Sequence, residues 1–391
     1  MKDCSYIVKK NISETSLWEN MSPPLLEELT IELTERCNNK CIHCYINLPA
    51  DDSRTLQEEM TTNQVKRVIE EAASLGCINV RFTGGEPLLR EDFDDIYVFT
   101  RKKGLKVKLL TNATLITDDR ISLFTQIPPL EPIEITLYGM SRASYEAVSR
   151  TTGSFNKAWM AIDMLSQSDI PFILKSVSLP PNRGELDEMA DWAKGLPGNQ
   201  QSLLLNTQLD LRGRRDLESK NNRIRKMRLA AGDVMQQMAK DPDQYLNEMR
   251  QFCSKFTGVP GAKIFSCGAG IRNGCVDAYG RFQLCTMLRH PSTVYDLSNG
   301  SLKEALSDFV PKIRNQMAAN PDYLKRCAQC ALQGLCNQCP GKSWIEHGRL
   351  DAPVEYYCRC THKQAEYLGL ISKNEKLWEQ QNSIEGRLNV A

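Results

Sequence analysis

Cys37-Asn38-Asn39-Lys40-Cys41-Ile42-His43-Cys44 is the stretch of this chain whose residue types and spacing are fit for chemistry. Three cysteines follow one another as C-x3-C-x2-C, just after the run Leu29-Thr30-Ile31-Glu32-Leu33. That order describes a strand running into a loop that wraps three thiolates around one metal centre. Thiolates are the usual ligands of iron–sulfur clusters, and a cubane [4Fe–4S] takes four. Three local cysteines without a fourth leave one iron open. Zinc is the rival, but zinc motifs pair C-x2-C with a second pair of Cys or His at a set distance. Here the next cysteine, Cys77, lies 33 residues on, at a helix-to-strand junction.

The elements that position this loop are legible from periodicity. Strands are expected at Leu29–Thr34, Asn79–Thr83, Leu105–Thr111, Ile133–Tyr138, Phe172–Leu179 and Leu203–Leu209. Helices are expected at Asn63–Leu75, Asp92–Lys103, Asp118–Phe124, Arg142–Arg150, Phe155–Ser166, Glu185–Lys194 and, as one long element, Leu217–Met238. Repeated strand–helix units predict an α/β fold with a parallel sheet, because parallel neighbours need crossover connections. Six units are too few for a closed eight-stranded barrel. Ligands of such sheets gather at the carboxyl ends of the strands. Strand two ends in Thr83-Gly84-Gly85-Glu86-Pro87, where two glycines let the backbone come close to a bound group and the Glu can accept from an ammonium. The bland alternative is a strand-to-helix turn with an acid in the first helical turn. Asn112 follows strand three, Thr136 lies on strand four with Arg150 closing the next helix, and Lys175 lies inside strand five. Guanidinium–carboxylate pairing gives Arg a reason to be at such a place. Parity alone does not settle which way Lys175 faces.

With these residues in view, the chain resembles the radical SAM superfamily, whose C-x3-C-x2-C signature holds a [4Fe–4S] cluster that S-adenosylmethionine (SAM) chelates at the open iron. The residue after the last cysteine is often aromatic there, and here it is Tyr45. The resemblance covers about residues 27–240 and implies a partial (β/α)6 barrel. It makes Cys37, Cys41 and Cys44 the cluster ligands, and Gly84, Gly85 and Glu86 the contacts of SAM's amino group. By the same resemblance Thr136 and Arg150 bind ribose and carboxylate; Asn112 and Lys175 are added as candidates for the SAM site by their own places, after strand three and on strand five.

Cysteine organises the second half as well. Cys267 and Cys275 precede Gly280 and Cys285; then come Cys327-Ala328-Gln329-Cys330, Cys336-Asn337-Gln338-Cys339 and Cys358-Arg359-Cys360. This resembles the SPASM extension of radical SAM enzymes, which holds two auxiliary [4Fe–4S] clusters. The resemblance implies Cys267, Cys275, Cys285 and Cys339 for one cluster, and Cys327, Cys330, Cys336 with Cys358 or Cys360 for the other. The Cys336–Cys339 spacing is one residue shorter than the family's, which unsettles the division between clusters. Two zinc ribbons would explain the paired C-x2-C units but not Cys267 to Cys285.

Composition bounds the rest. At 391 residues the chain has room for one large and one smaller domain. Its 41% hydrophobic and 25% charged residues are those of an ordinary soluble protein. A net charge of +1 favours neither nucleic acid nor an anionic membrane as partner. With no apolar run of about 20 residues and no signal-peptide core in Met1–Ile7, the expected location is cytoplasmic. Fifteen cysteines in such a chain indicate metal rather than disulfides. Cys4, Cys77 and Cys253 stand alone and read as plain thiols, and His43, His290, His347 and His362 read as structural or surface residues. The expected organisation is an arm at 1–26, a radical SAM core at 27–240, a linker at 241–266, a SPASM domain at 267–372 and a tail at 373–391. Within the tail, Ile384-Glu385-Gly386-Arg387 matches a protease-cleavage tag.

The resemblance implies reductive SAM cleavage and hydrogen abstraction from a peptide or protein substrate, leaving a crosslink, thioether, oxidised or epimerised residue. The segment from Leu137-Tyr138-Gly139 to Thr152-Gly153-Ser154-Phe155 looks like members that mature ribosomal peptides. The partners implied are that substrate, a reductant such as flavodoxin or ferredoxin, and a separate leader-binding protein, since residues 1–26 are too few to fold as a leader-binding module. One rival is a haem-pathway enzyme acting on tetrapyrrole propionates. Another is a sulfatase maturase, although those usually carry Asp after the cysteine matching Cys285, where this chain has Thr286. A non-enzymatic electron carrier has no use for an open iron.

Overall fold

Alternation of apolar residues resolves into six parallel strands that lie side by side in chain order: β1 (Glu28–Thr34), β2 (Asn79–Gly84), β3 (Lys106–Thr111), β4 (Ile133–Thr136), β5 (Phe172–Val177) and β6 (Leu204–Asn206). The computed structural model describes residues 26–256 and 261–376. Between the strands run α1 (Thr62–Ser74), α2 (Phe93–Lys102), α3 (Asp118–Gln126), α4 (Arg142–Ser149), α5 (Ser154–Ser166) and α6 (Leu186–Lys194). The start signals are local. Thr61 and Gln64 form a capping box ahead of α1, while the Thr117 and Ser141 hydroxyls cap α3 and α4. Helix α1 buries Val65, Val68, Ile69 and Ala72, the one-sided spacing of a helix laid on a sheet.

The pleat sorts the strand residues into two faces. Val80, Phe82, Val107, Leu109, Ile133, Ile135, Phe172 and Leu174 are buried, and Phe82 meets Phe93 of α2 edge-on at 6.2 Å, so theirs is the helix-covered face. The opposite face carries Arg81, Lys108, Glu134, Thr136 and Lys175. Strand β6 is shorter than expected, three residues in place of Leu203–Leu209.

The boundary expected at residue 240 falls elsewhere. Beyond the barrel, β7 (Asn273–Val276) pairs in parallel with the free edge of β1, and β8 (Arg281–Gln283) and β9 (Val294–Asp296) add antiparallel strands. Part of the segment expected as a SPASM domain therefore extends the barrel sheet. One compact unit holds the chain through Asn206 with Gly268–Thr286 and Pro291–Pro311; the other holds Thr207–Cys267, Met287–His290 and the chain from Lys312.

In the second unit the long helix expected over Leu217–Met238 is two, α7 (Glu218–Met227) and α8 (Ala231–Met238). Arg228 turns extended at the break, where its Nε donates to the Leu209 carbonyl (2.9 Å) and its guanidinium pairs with Glu346. Leu229 is then buried beside Val234 and Cys360. The expected linker at 241–266 contains a helix, α9 (Pro242–Phe256). Asp241 starts it, its carboxylate accepting from the Gln244 N–H at 3.0 Å, with Pro242 in the first turn. Two further helices, α10 (Pro340–His347) and α11 (Glu355–Tyr367), complete the unit, α11 packing along α8. The expected arm lies outside the described residues save for Leu26, and so does the tail beyond Lys376, including residues 384–387. Among the described residues no helix is long and apolar enough to cross a membrane.

Candidate active site

Buried charge pairing fixes the end of β1 before the cysteine loop begins. The Arg36 guanidinium donates twice to Glu59 at 3.1 Å and once to the Ala50 carbonyl at 3.0 Å, and the Thr34 hydroxyl donates to Glu59 as well. The loop itself hangs on α4: Lys40 N–H donates to the Ser149 carbonyl (2.8 Å) and Ile42 N–H to that of Val148 (3.0 Å). Cys37 and Cys41 are buried and Cys44 half-buried. Each sulfur has a polar neighbour. Asn39 N–H donates to Cys37 (3.3 Å), Asn47 N–H to Cys44 (3.4 Å), and Cys41 Sγ lies 3.3 Å from the Tyr138 hydroxyl. Burial, and after it the charge of Glu86, pushes the Cys37 thiol far above its ordinary value, against the pull of the Asn39 N–H. Thiolates here need a cation to neutralise them, which is what iron brings.

The surroundings fit an iron–sulfur group. Asn39 is 1% exposed and Tyr145 fully buried, yet neither amide atom of Asn39 nor the Tyr145 hydroxyl has a hydrogen-bond partner among the described residues. Each such orphan costs about 1–3 kcal/mol. Sulfur acceptors on a cluster held by this loop offer the donors among them a partner.

The two glycines after β2 have a packing reason. Gly84 sits at φ +130°, where a side chain would be strained, and a Cβ there would lie 2.1 Å from the Thr34 carbonyl oxygen. A Cβ on Gly85 would lie 2.2 Å from that of Arg36. This closeness lets Gly85 N–H donate to Thr34 O (2.7 Å) and Glu86 N–H to Arg36 O (2.9 Å), locking the turn to the base of the cysteine loop. The Glu86 carboxylate is fully buried and accepts from Thr111 Oγ1 (2.7 Å), Asn112 N–H (2.8 Å) and Leu88 N–H (3.1 Å). Burial raises its pKa from the usual 4.5 to about 7, the three donors opposing that rise. In this structure Glu86 ties the end of β2 to the end of β3.

The remaining residues expected at the SAM site divide. Asn112 belongs to the loop's surroundings: its Nδ2 donates to Asn38 Oδ1 at 2.9 Å and lies 3.8 Å from Cys37 Sγ. Thr136 and Lys175 are register partners on β4 and β5 and share the face opposite the helices. Lys175 pairs with Glu134, which also holds Lys108 at 3.4 Å, so a Lys–Glu–Lys ladder crosses three strands. Arg150 ends α4 in the left-handed conformation (φ 57°) and is exposed. Sequence reasoning passed over Asn39, Tyr138 and Tyr145 as participants, because a buried aromatic at helical or strand spacing reads as core.

In the second unit, Cys327, Cys330, Cys336, Cys339 and Cys358 line one pocket with Arg326, Gln338 and His362. Burial first, then the neighbouring cysteines, pushes the Cys327 and Cys330 thiols up to about 12. Donors surround the sulfurs: Gln338 Nε2 lies 3.7 Å from Cys327, Arg326 Nη2 3.8 Å and His362 Nδ1 3.7 Å from Cys358. His362, expected to be structural, thus faces the thiols. Cys360 points away and packs with Leu229 and Val234. Cys275 and Cys285 belong to the first unit, where Gln283 Nε2 lies 3.7 Å from Cys275 Sγ; Cys267, in the second unit, is exposed.

A parallel α/β sheet carries a three-cysteine loop after its first strand and a glycine-paired turn after its second. Residues 31–193 match the family model described as the Radical SAM superfamily, and a Cys-rich region follows the match. Proteins of that family use SAM and a [4Fe–4S] cluster as cofactors. Over 174 residues the chain is 34% identical to the probable GTP 3',8-cyclase of Methanocella arvoryzae, covering 44% of this chain and 54% of that one. Over 165 residues it is 30% identical to the AdoMet-dependent heme synthase of Methanosarcina barkeri, covering 42% and 46%. The chain thus spans about half the length of these curated relatives. The subtilosin biosynthesis protein AlbA of Bacillus subtilis is 23% identical over 329 residues, covering 81% of this chain and 67% of AlbA. The fold is that of Streptococcus suis SuiB, solved with S-adenosylmethionine (TM-score 0.60, 14% identity, 84% of this chain and 76% of SuiB) and also with its precursor peptide SuiA (TM-score 0.54, 14% identity, 84% of this chain and 74% of SuiB).

Proposed function

We propose that this protein is a radical SAM enzyme of the SPASM type that modifies a peptide or protein substrate by hydrogen abstraction, leaving a crosslink, thioether, oxidation or epimerised residue. The observation that carries the reading is coverage. A relative aligned over 81% of the chain is a bacteriocin biosynthesis protein, whereas the heme synthase aligns over 42%. When bound, the cluster and SAM supply an electron and a 5′-deoxyadenosyl radical; the protein supplies position and a water-poor cavity. Cys37, Cys41 and Cys44 hold the cluster, and the backbone of Gly84-Gly85-Glu86 with Asn112, Thr136, Lys175 and Arg150 surrounds SAM. Cys327, Cys330, Cys336 and Cys358 hold one auxiliary [4Fe–4S] cluster. Cys267, Cys275, Cys285 and Cys339 are the set proposed for the other.

A flavodoxin or ferredoxin supplies the electron in the cytoplasm, and a separate protein presents the substrate's leader. The test is anaerobic reconstitution with a short peptide encoded beside this gene. Formation of 5′-deoxyadenosine together with a mass change in the peptide is expected. Deoxyadenosine without any peptide change, but with loss of a tetrapyrrole propionate, decides for the second reading that the heme synthase relative favours. In the Cys285→Ala variant, SAM cleavage is expected to persist while product formation stops.

A further inference from the structure

We propose that the Tyr138 hydroxyl donates a hydrogen bond to the Cys41 thiolate and thereby raises the reduction potential of the cluster on Cys37, Cys41 and Cys44. The inference rests on reading those three cysteines as radical SAM cluster ligands, and it adds a tuning residue to that site. Tyr138 Oη lies 3.3 Å from Cys41 Sγ, and this is the only hydrogen bond its hydroxyl makes among the described residues. In the free thiol either partner can donate. On iron the sulfur has no proton, so the phenol becomes the donor.

The donor is held in place from every side. Asn182 Nδ2 donates to the Tyr138 carbonyl at 3.0 Å and to that of Val177 at 3.0 Å, fixing the chain where it leaves β4. Gly139 follows because a Cβ there would lie 2.1 Å from Ser144 Oγ. The Tyr138 ring sits edge-on between His43 at 5.5 Å and Tyr145 at 5.4 Å, and it is 6% exposed. A phenol caged in this way cannot turn its hydroxyl to water. The other two sulfurs receive backbone N–H groups, from Asn39 and Asn47. Asn112 Nδ2 lies farther off, 3.8 Å from Cys37, so Tyr138 at 3.3 Å is the nearer side-chain donor, and its loss leaves the loop's backbone bonds intact.

The direction follows from charge. One-electron reduction puts more negative charge on the cluster sulfurs, and a hydrogen bond to a charged acceptor is the stronger one. Hydrogen bonds to the sulfurs are among the factors that set iron–sulfur potentials. The bond thus favours the reduced cluster, the form able to pass an electron to SAM. Tyr138 acts through Cys41 and is a positioning residue.

The experiment is EPR-monitored redox titration of the reconstituted full chain without SAM. Tyr138→Phe is expected to move the midpoint to more negative potential, shifting the reduction equilibrium about tenfold, about 59 mV for one electron. Iron content should be unchanged. Replacing Tyr138 with 3-fluorotyrosine, a stronger donor of the same shape, is expected to move it the opposite way. That substitution decides the matter if the Phe variant fails to assemble its cluster. In deuterated buffer, hyperfine spectra of the reduced wild-type cluster should show an exchangeable proton that Tyr138→Phe removes. An unmoved midpoint in the fluorotyrosine protein with its cluster intact overturns the inference while leaving the cluster assignment standing. A wild-type protein that binds no cluster at Cys37, Cys41 and Cys44 overturns both.

Discussion

The cysteine loop at Cys37–Cys44 and the thiol pocket around Cys327–Cys358 position their cysteines in different ways. The first is anchored by main-chain hydrogen bonds to α4 and braced by a glycine turn that leaves no room for a Cβ. The second gathers its half-buried cysteines from short turns and from helix α11, which carries Cys358, with side-chain donors from Gln338, Arg326 and His362 around the sulfurs. A loop fixed by its neighbours' backbones keeps its geometry before iron arrives. A pocket held by side chains depends more on the metal for its shape, since metal binding and folding are coupled.

The strongest test of this contrast removes metal from one region at a time. Changing Cys37, Cys41 and Cys44 together to Ala should abolish 5′-deoxyadenosine formation and lower iron from about twelve to about eight per chain. The barrel's thermal transition should persist. Next comes the pair at the end of the pocket. Cys358→Ala should lose about four irons and broaden unfolding of the second unit. Cys360→Ala should keep all its iron and lose about 1 kcal/mol of stability from its apolar contacts. Equal iron loss in both variants would remove the distinction between the two cysteines.

A third test uses pH on the iron-free protein. The Glu86 pKa is raised from 4.5 unfolded to about 7 folded, so the folded chain holds the proton more tightly within that window. This group's contribution to stability should be full below about 4.5, fall as pH rises to about 7 and be absent above it, an amount on the order of 3 kcal/mol. Denaturant titrations should show Glu86→Gln flattening this slope; a slope unchanged in that variant would assign it to other groups. A small effect is also expected at Gly280, which sits at φ +78° in the turn between β7 and β8, with the nearest obstacle to a Cβ being Met60 Cγ at 3.5 Å. Gly280→Ala should lower the melting free energy by about 1–2 kcal/mol from backbone strain alone, with iron content unchanged.

Much of the first unit was legible because its signals are local. C-x3-C-x2-C, the strand alternation and the hydroxyl caps of α1, α3 and α4 each speak within a few residues. What was not legible depends on distant partners. Lys175 could not be oriented until the register beside Thr136 and the charge of Glu134 were known. The break at Arg228 answers to Glu346, more than a hundred residues away. The donor at Tyr138 answers to Cys41. The helix from Pro242 is a different case: Asp241-Pro242 is a start signal within the sequence itself, although the segment at 241–266 was expected as a linker.

The pairing of β7 with β1 has a consequence for how the chain is made. Glu27 and Arg272, at the foot of that pairing, are 245 residues apart, so the outer edge of the first strand stays open until that much more polypeptide has emerged. At about 5–20 residues per second this is about 12–50 s on the ribosome. Throughout that interval an unpaired strand edge is exposed beside the three cysteines, open to pairing with another nascent chain. Growth conditions that slow translation should therefore increase the share of this protein lost to aggregation, whatever the supply of iron.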